Sequence, residues 1–213
     1  MCPFCSEAAH AAYGRSLLGD GWPFPDRVLF DRGEAFAIAG YGPQVFPYVL
    51  VLPRRHVVSL ADCDRGERES ILGCLNDLAA LSIFKSKELT IFEHGGRSGD
   101  TCSCLEHCHL HVIDGEYPIE EWLIEDFPDS GPAIFDREST PPPASSYLFA
   151  GNYNLDAFRI RGHYLAWDRP PSQFFRRLLS SKLRLEDWDW HAGMNQDFMV
   201  RLVTHVKLPC VAR

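Results

Sequence analysis

No stretch of this chain approaches the roughly twenty consecutive apolar residues that a membrane-spanning helix needs, so no membrane partner is expected. Cationic residues are also in short supply: 21 Lys and Arg face 29 Asp and Glu, for a net charge of −8. A phosphate polymer would be repelled unless local basic surface overcame the whole, which argues against a general nucleic-acid binder. Cys2 follows Met1 with no basic leader or apolar signal segment, and the expected address is the cytoplasm. In that setting the eight cysteines read as reduced thiols or metal ligands rather than a disulfide framework. There is no internal repeat, and no low-complexity tract apart from a proline-rich stretch at 128–146. What is present is 213 residues, 46% of them hydrophobic, enough for a sizeable core.

The segment around which this composition is organised is Leu105, Glu106, His107, Cys108, His109, Leu110, His111, Val112, Ile113, Asp114. Histidines at i, i+2 and i+4 scatter around a helix but share one face of a β-strand, with Cys108, Leu110 and Val112 turned to a core behind them. Three groups that titrate near neutrality on one face can act as bases, nucleophiles or metal ligands. His109, His111 and Glu116 have cupin-like spacing. The glycines that usually flank that pattern are missing, however, and His107 is left unexplained.

Taken in order, Cys2 and Cys5 form a Cys-x-x-Cys pair, half of a tetrahedral zinc site or a redox pair. Ser6 is placed to cap a helix running toward Leu18. Val28 to Phe30, Glu34 to Ala39 and Tyr48 to Leu52 predict a β-meander. Asp64 and Glu67 have capping-box spacing ahead of a helix from Arg65 to Phe84. Leu89 to Glu93 predicts the next strand, and the loop His94 to Ser103, with Gly95, Gly96, Ser98 and Gly99, can bring backbone N–H groups and hydroxyls to phosphate oxygens. Glu120 to Asp126 is acidic with helical character, and Pro128 to Ser146 reads as an extended connector. Strands are expected at Tyr147 to Tyr153, Ala157 to Ile160 and His163 to Trp167, then a helix capped by Ser172 and a last one opened by Asn195. Between Arg159 and Arg184 seven basic residues, Arg176 and Arg177 among them, face the single acid Asp168: a phosphate-holding surface or a solvated basic face.

The triad, together with Cys2-Pro3-Phe4-Cys5, Leu50-Val51-Leu52-Pro53-Arg54-Arg55-His56 and Phe92-Glu93-His94-Gly95, resembles the histidine triad superfamily of nucleotide hydrolases and transferases, of a bacterial type with an N-terminal zinc knuckle and a C-terminal extension. The resemblance implies an α+β fold: a HIT-like domain over 1–120 with an antiparallel sheet of about five strands and packed helices, a connector over 121–146, and an α/β extension over 147–213 packed on that domain. It implies His109 as the nucleophile on the α-phosphorus of a nucleotide, assisted by His111. Ser98, Ser103, Glu93, Arg176 and Arg177 are the phosphate-binding candidates, and structural zinc is expected on Cys2, Cys5, His56 and His107. Many relatives pair through the sheet and helix, so a homodimer is among the implied partners, beside a nucleotide or nucleotide conjugate. Relatives commonly carry a histidine where Tyr48 stands. Retention of His111 favours hydrolysis over nucleotidyl transfer, and a binding protein with little catalysis is the third reading.

Overall fold

The computed structural model describes residues 2–9, 22–86, 88–96, 107–144, 146–167, 169–190 and 195–207. Eight strands run in the order of the chain: β1 (Val28–Asp31), β2 (Ala35–Ala39), β3 (Tyr48–Pro53), β4 (Glu88–Gly96), β5 (Leu110–Asp114), β6 (Gly131–Phe135), β7 (Ser146–Asn154) and β8 (Arg159–Ala166). Among the described residues the helices are α1 (Pro3–Ala9), α2 (Arg65–Ala79), α3 (Ile119–Asp126), α4 (Phe174–Leu183) and α5 (Gln196–Lys207). All eight strands join one antiparallel sheet in the order β1-β2-β3-β5-β4-β7-β8-β6. The fold is α+β.

Alternation along the strands divides the core into two layers, because successive side chains leave opposite faces of the sheet. Ala37, Val51, Ile91, Val112 and Phe149 point to one face, where Ile71, Leu75 and Leu78 of α2 and Met199, Leu202 and Val203 of α5 cover them. Ile38, Leu50, Phe92, Ile113 and Leu148 point to the other, under Phe4 of α1, Leu123 of α3 and Phe175 and Leu179 of α4. With helices on both sides, β2 and β3 are buried along their whole length. The capping box that opens α2 is complete: the Asp64 side chain accepts from the Glu67 N–H, and the Glu67 side chain accepts from the Asp64 N–H.

Several elements differ from the sequence-based expectation. The helix expected from Ser6 starts at Pro3, whose fixed φ suits a first turn, and the Ser6 hydroxyl donates back to the Cys2 carbonyl. Its expected course toward Leu18 lies outside the described residues. Helix α2 stops at Ala79, because tight turns over 81–84 then carry Phe84 into the core. The proline-rich connector holds an edge strand, β6. An edge position needs no N–H from Pro132, while Ala133 and Phe135 bury their side chains. The two strands expected at Ala157 to Ile160 and His163 to Trp167 are one, β8, which runs from Arg159 to Ala166 after a turn over 155–158, so β7, β8 and β6 carry the first five strands onward as one sheet. The N-cap position of α4 is Gln173, in a left-handed conformation, rather than Ser172.

Candidate active site and metal centre

The triad strand is shorter than its sequence suggests, since β5 begins at Leu110 and His107 and His109 precede it. The alternation nevertheless persists. The Cys108 N–H donates to the Val57 carbonyl (2.6 Å), and the Cys108 thiol faces the α2 side, where it donates to Glu93 (3.1 Å). The His109 and His111 rings lie together on the opposite face, 4.9 Å apart.

His111 is paired with Leu50 on β3 and Phe92 on β4, and its ring stacks on Phe92 at 4.8 Å and 8°. Its Nδ1 lies 2.7 Å from the Tyr48 hydroxyl. Arg176, which can only donate, stands beside that phenol, so the phenolic proton is left for Nδ1 and His111 carries its own proton at Nε2. Gly40 makes room for this arrangement, because a methyl there would come within 2.6 Å of the Tyr48 ring. His109 is fixed more simply. Its Nδ1 lies 2.6 Å from the His107 carbonyl, and a carbonyl oxygen accepts only, so Nδ1 holds the proton and Nε2 keeps its lone pair. Burial pulls the pKa of both imidazoles down, for His111 with help from the nearby His109, Arg176 and His94.

Phe4, Tyr41, Tyr48, Leu50, Arg176 and Trp190 complete a cavity around these two histidines, with about 400 Å³ of space including its open mouth. Tyr41 and Trp190 stack at 29° with centroids 6.5 Å apart. Of the two candidate arginines, only Arg176 lines the cavity; it is buried, donating to the Trp188 carbonyl (2.8 Å) and the Gly42 carbonyl (2.7 Å). Arg177, about 100° further round α4, is exposed and lies 3.5 Å over the Trp188 ring. Ser98 and Ser103 fall outside the described residues. Glu93 requires a correction. Pairing of Phe92 with His111 turns Glu93 to the α2 face, where its carboxylate is 1% exposed and accepts from the Tyr147 hydroxyl, the Leu60 N–H (3.2 Å) and Cys108. It cannot touch a ligand held by His109. Gly95 lets Tyr147 lie against β4 to reach that carboxylate, since a methyl there would overlap the phenol ring at 2.3 Å. That Tyr41, Trp190 and Phe4 wall the cavity was not among the expectations.

The first histidine of the triad serves a different centre. Cys2, Cys5, His56 and His107 bring one ligand atom each within 4.8 Å of one another, a cluster that could hold a metal ion. Cys2 Sγ and Cys5 Sγ lie 3.5 Å from His107 Nδ1, and Cys5 Sγ lies 3.3 Å from His56 Nδ1. Zn–S and Zn–N bonds of about 2.3 and 2.0 Å in a tetrahedron require S···N edges of about 3.5 Å, so the four residues fit zinc. The outer shell fits as well, because His107 Nε2 donates to the Pro53 carbonyl (2.9 Å) and thereby leaves Nδ1 free as the ligand atom. Burial and the neighbouring Cys2 push the Cys5 thiol up to about 11, and a cation bound at the cluster would favour its thiolate.

No known family model matches the chain. The structure is similar to a histidine triad protein from Clostridium difficile, with 21% identity over 55% of this chain and 91% of that one and a TM-score of 0.40. It is similar to a HIT family hydrolase from Legionella pneumophila Philadelphia 1, with 22% identity over 54% and 93% and a TM-score of 0.38. The yeast Ap4A phosphorylase is similar at 11% identity over 93% of this chain and 85% of that one, with a TM-score of 0.36.

Chemically, the site offers an unprotonated imidazole nitrogen on His109, an N–H on His111 and a cation, Arg176, at an aromatic-walled cavity. The metal cluster lies at the start of the same segment. No helix among the described residues is long and apolar enough to cross a membrane.

Proposed function

We propose that the protein is a histidine triad hydrolase that attacks the α-phosphorus of a nucleotide conjugate, phosphoramidate or dinucleoside polyphosphate. The observation that carries this reading is His109: its Nδ1 proton is committed to the His107 carbonyl, so the Nε2 lone pair is free for attack beside the aromatic-walled cavity. A bond forms between Nε2 and phosphorus as the bond to the leaving group breaks. His111 Nε2–H gives the departing group its proton as its Nδ1 takes up the phenolic proton of Tyr48, whose oxygen faces Arg176. Water then attacks phosphorus, the P–N bond returns its electrons to His109, and the proton of that water passes to His111 Nε2 as Nδ1 returns its proton to Tyr48. Arg176 offsets charge on the phosphoryl oxygens, while Tyr41 and Trp190 offer flat apolar faces to a base. Zinc held by Cys2, Cys5, His56 and His107 would be structural, with four protein ligands and no position left for water, and would fix α1 against the triad segment.

A nucleoside 5′-phosphoramidate with a fluorogenic amine leaving group tests the reading. Rapid acid-free quenching followed by mass spectrometry should find one nucleotidyl group on His109. His109→Ala should lose about a thousandfold or more in kcat/KM, about 4 kcal/mol of transition-state stabilisation, while keeping its fold, because the ring fills no sealed core. Wild-type turnover by His109→Ala would refute the assignment.

A further inference from the structure

We propose that His94 is a further imidazole of this site, binding an oxygen of the phosphoryl group that His109 attacks. The inference rests on the reading of His109 given above, but its evidence is separate. Phe92 pairs with His111, and antiparallel register carried two residues further sets His94 across from His109. Alternation along β4 sends Phe92 and His94 to the same face, the one opposite Glu93, whose carboxylate is occupied by Tyr147, Cys108 and Leu60. His94 is close enough to His109 to feel its charge.

Its hydrogen bonding is incomplete. His94 Nε2 is buried with no partner, one of five such side-chain atoms among the described residues. A buried polar nitrogen without a partner costs about 1–3 kcal/mol, and such atoms concentrate where a ligand or ion completes the bonding. A neutral imidazole with its proton on Nε2 is suited to a phosphoryl oxygen, which accepts only. Bonded in that way, His94 would hold the group on the side away from Tyr48 and Arg176.

The test compares the full-length wild type with His94→Ala and His94→Phe, using calorimetric titration with orthophosphate, AMP and adenosine. If the proposal holds, the wild type binds AMP more tightly than adenosine. Both variants then lose at least tenfold in affinity for orthophosphate and AMP, keep adenosine affinity within twofold, and melt no lower than the wild type, because a costly orphan nitrogen has gone. Unchanged anion affinity overturns the proposal, as does a lower melting temperature with adenosine and AMP weakened alike, which would mark a structural histidine. Orthophosphate binding that depends on His94, without any contribution from the nucleoside, supports His94 and refutes the nucleotide reading. A wild type that binds none of the three ligands refutes both.

Discussion

Replacing Glu93 with Gln should favour the folded state, relative to the wild type, more at alkaline pH than at acid pH, by an amount the structure allows to be worked out. The carboxyl group is buried on the α2 face, and burial raises its pKa from the ordinary 4.5 to about 7, against the pull of hydrogen bonds from Tyr147, Cys108 and the Leu60 N–H. Below pH 4.5 both folded and unfolded chains hold the proton and no penalty exists. Between 4.5 and 7 the folded chain keeps a proton that the unfolded chain has released, so stability falls as pH rises, and above 7 the full penalty remains. A shift of about 2.5 units at 1.36 kcal/mol each amounts to about 3 kcal/mol. Gln carries no such proton. Its amide must donate to the Tyr147 oxygen where the carboxylate accepted, a cost of about 1 kcal/mol that is the same at every pH. Urea denaturation of both proteins at pH 5 and pH 8 should therefore show the Gln variant gaining on the wild type by about 2.5 kcal/mol, since a little of the penalty is already present at pH 5; this is equivalent to about 5–10 °C in Tm for a chain of this size. Titrations elsewhere cancel in the difference. A stability difference that stays constant between the two pH values, at equal m-values, would show that Glu93 is not buried as an acid and that the register behind the triad is wrong.

Two further outcomes follow from the cluster and from α4. Protein purified without added metal should carry about one zinc per chain, and Cys5→Ser or His56→Ala should lose it together with about a quarter of the roughly 10–16 kcal/mol that structural zinc supplies in small peptides; elemental analysis and melting curves that show neither loss would dismiss the site. Arg176→Ala should cost about 2–4 kcal/mol and raise KM, because the Trp188 and Gly42 carbonyls lose their donor. Arg177→Ala should cost under about 1 kcal/mol, the worth of an exposed cation over Trp188, and equal effects in thermal melts and kinetics would show that α4 is rotated from its position here.

What could be read from the sequence was whatever repeats locally. The two-residue period around the triad foretold which residues share a face, even though regular pairing begins only at Leu110, and the Asp64–Glu67 spacing foretold a complete capping box. Helix geometry alone sends Arg176 and Arg177 about 100° apart on α4, one to the cavity and one to solvent. The misjudged elements depended on long-range partners. Glu93 was placed beside the ligand, but a face assignment reverses with one residue of register, and only the pairing of β4 with β5 and β7 decides it. Strand β6 hid in a proline-rich segment because edge pairing with β8 spares the N–H groups that a central strand would need. Tyr41 and Trp190 carry no motif and meet only once the fold is formed.

The metal cluster and the cavity are two ends of one mechanical unit. Helix α1 has seven residues, too few to hold its shape in water unaided, yet its Phe4 packs against both His107 and His109, at 5.7 and 5.3 Å, and forms part of the cavity wall. Two tethers hold the helix in place. At one end, Cys2 and Cys5 meet His56 and His107. At the other, the buried Glu7 receives a two-point ion pair from Arg27, with N–O distances of 2.6 and 2.8 Å. The guanidinium of Arg27 also donates to the Ala39 carbonyl and lies 3.9 Å over the Tyr41 ring, another cavity wall. Each tether thus reaches the cavity through one aromatic residue, Phe4 on the metal side and Tyr41 on the ion-pair side. Breaking either one leaves His109 and His111 on the sheet but displaces a wall around them. Loss of metal should therefore act on how substrate is held before it acts on the nucleophile.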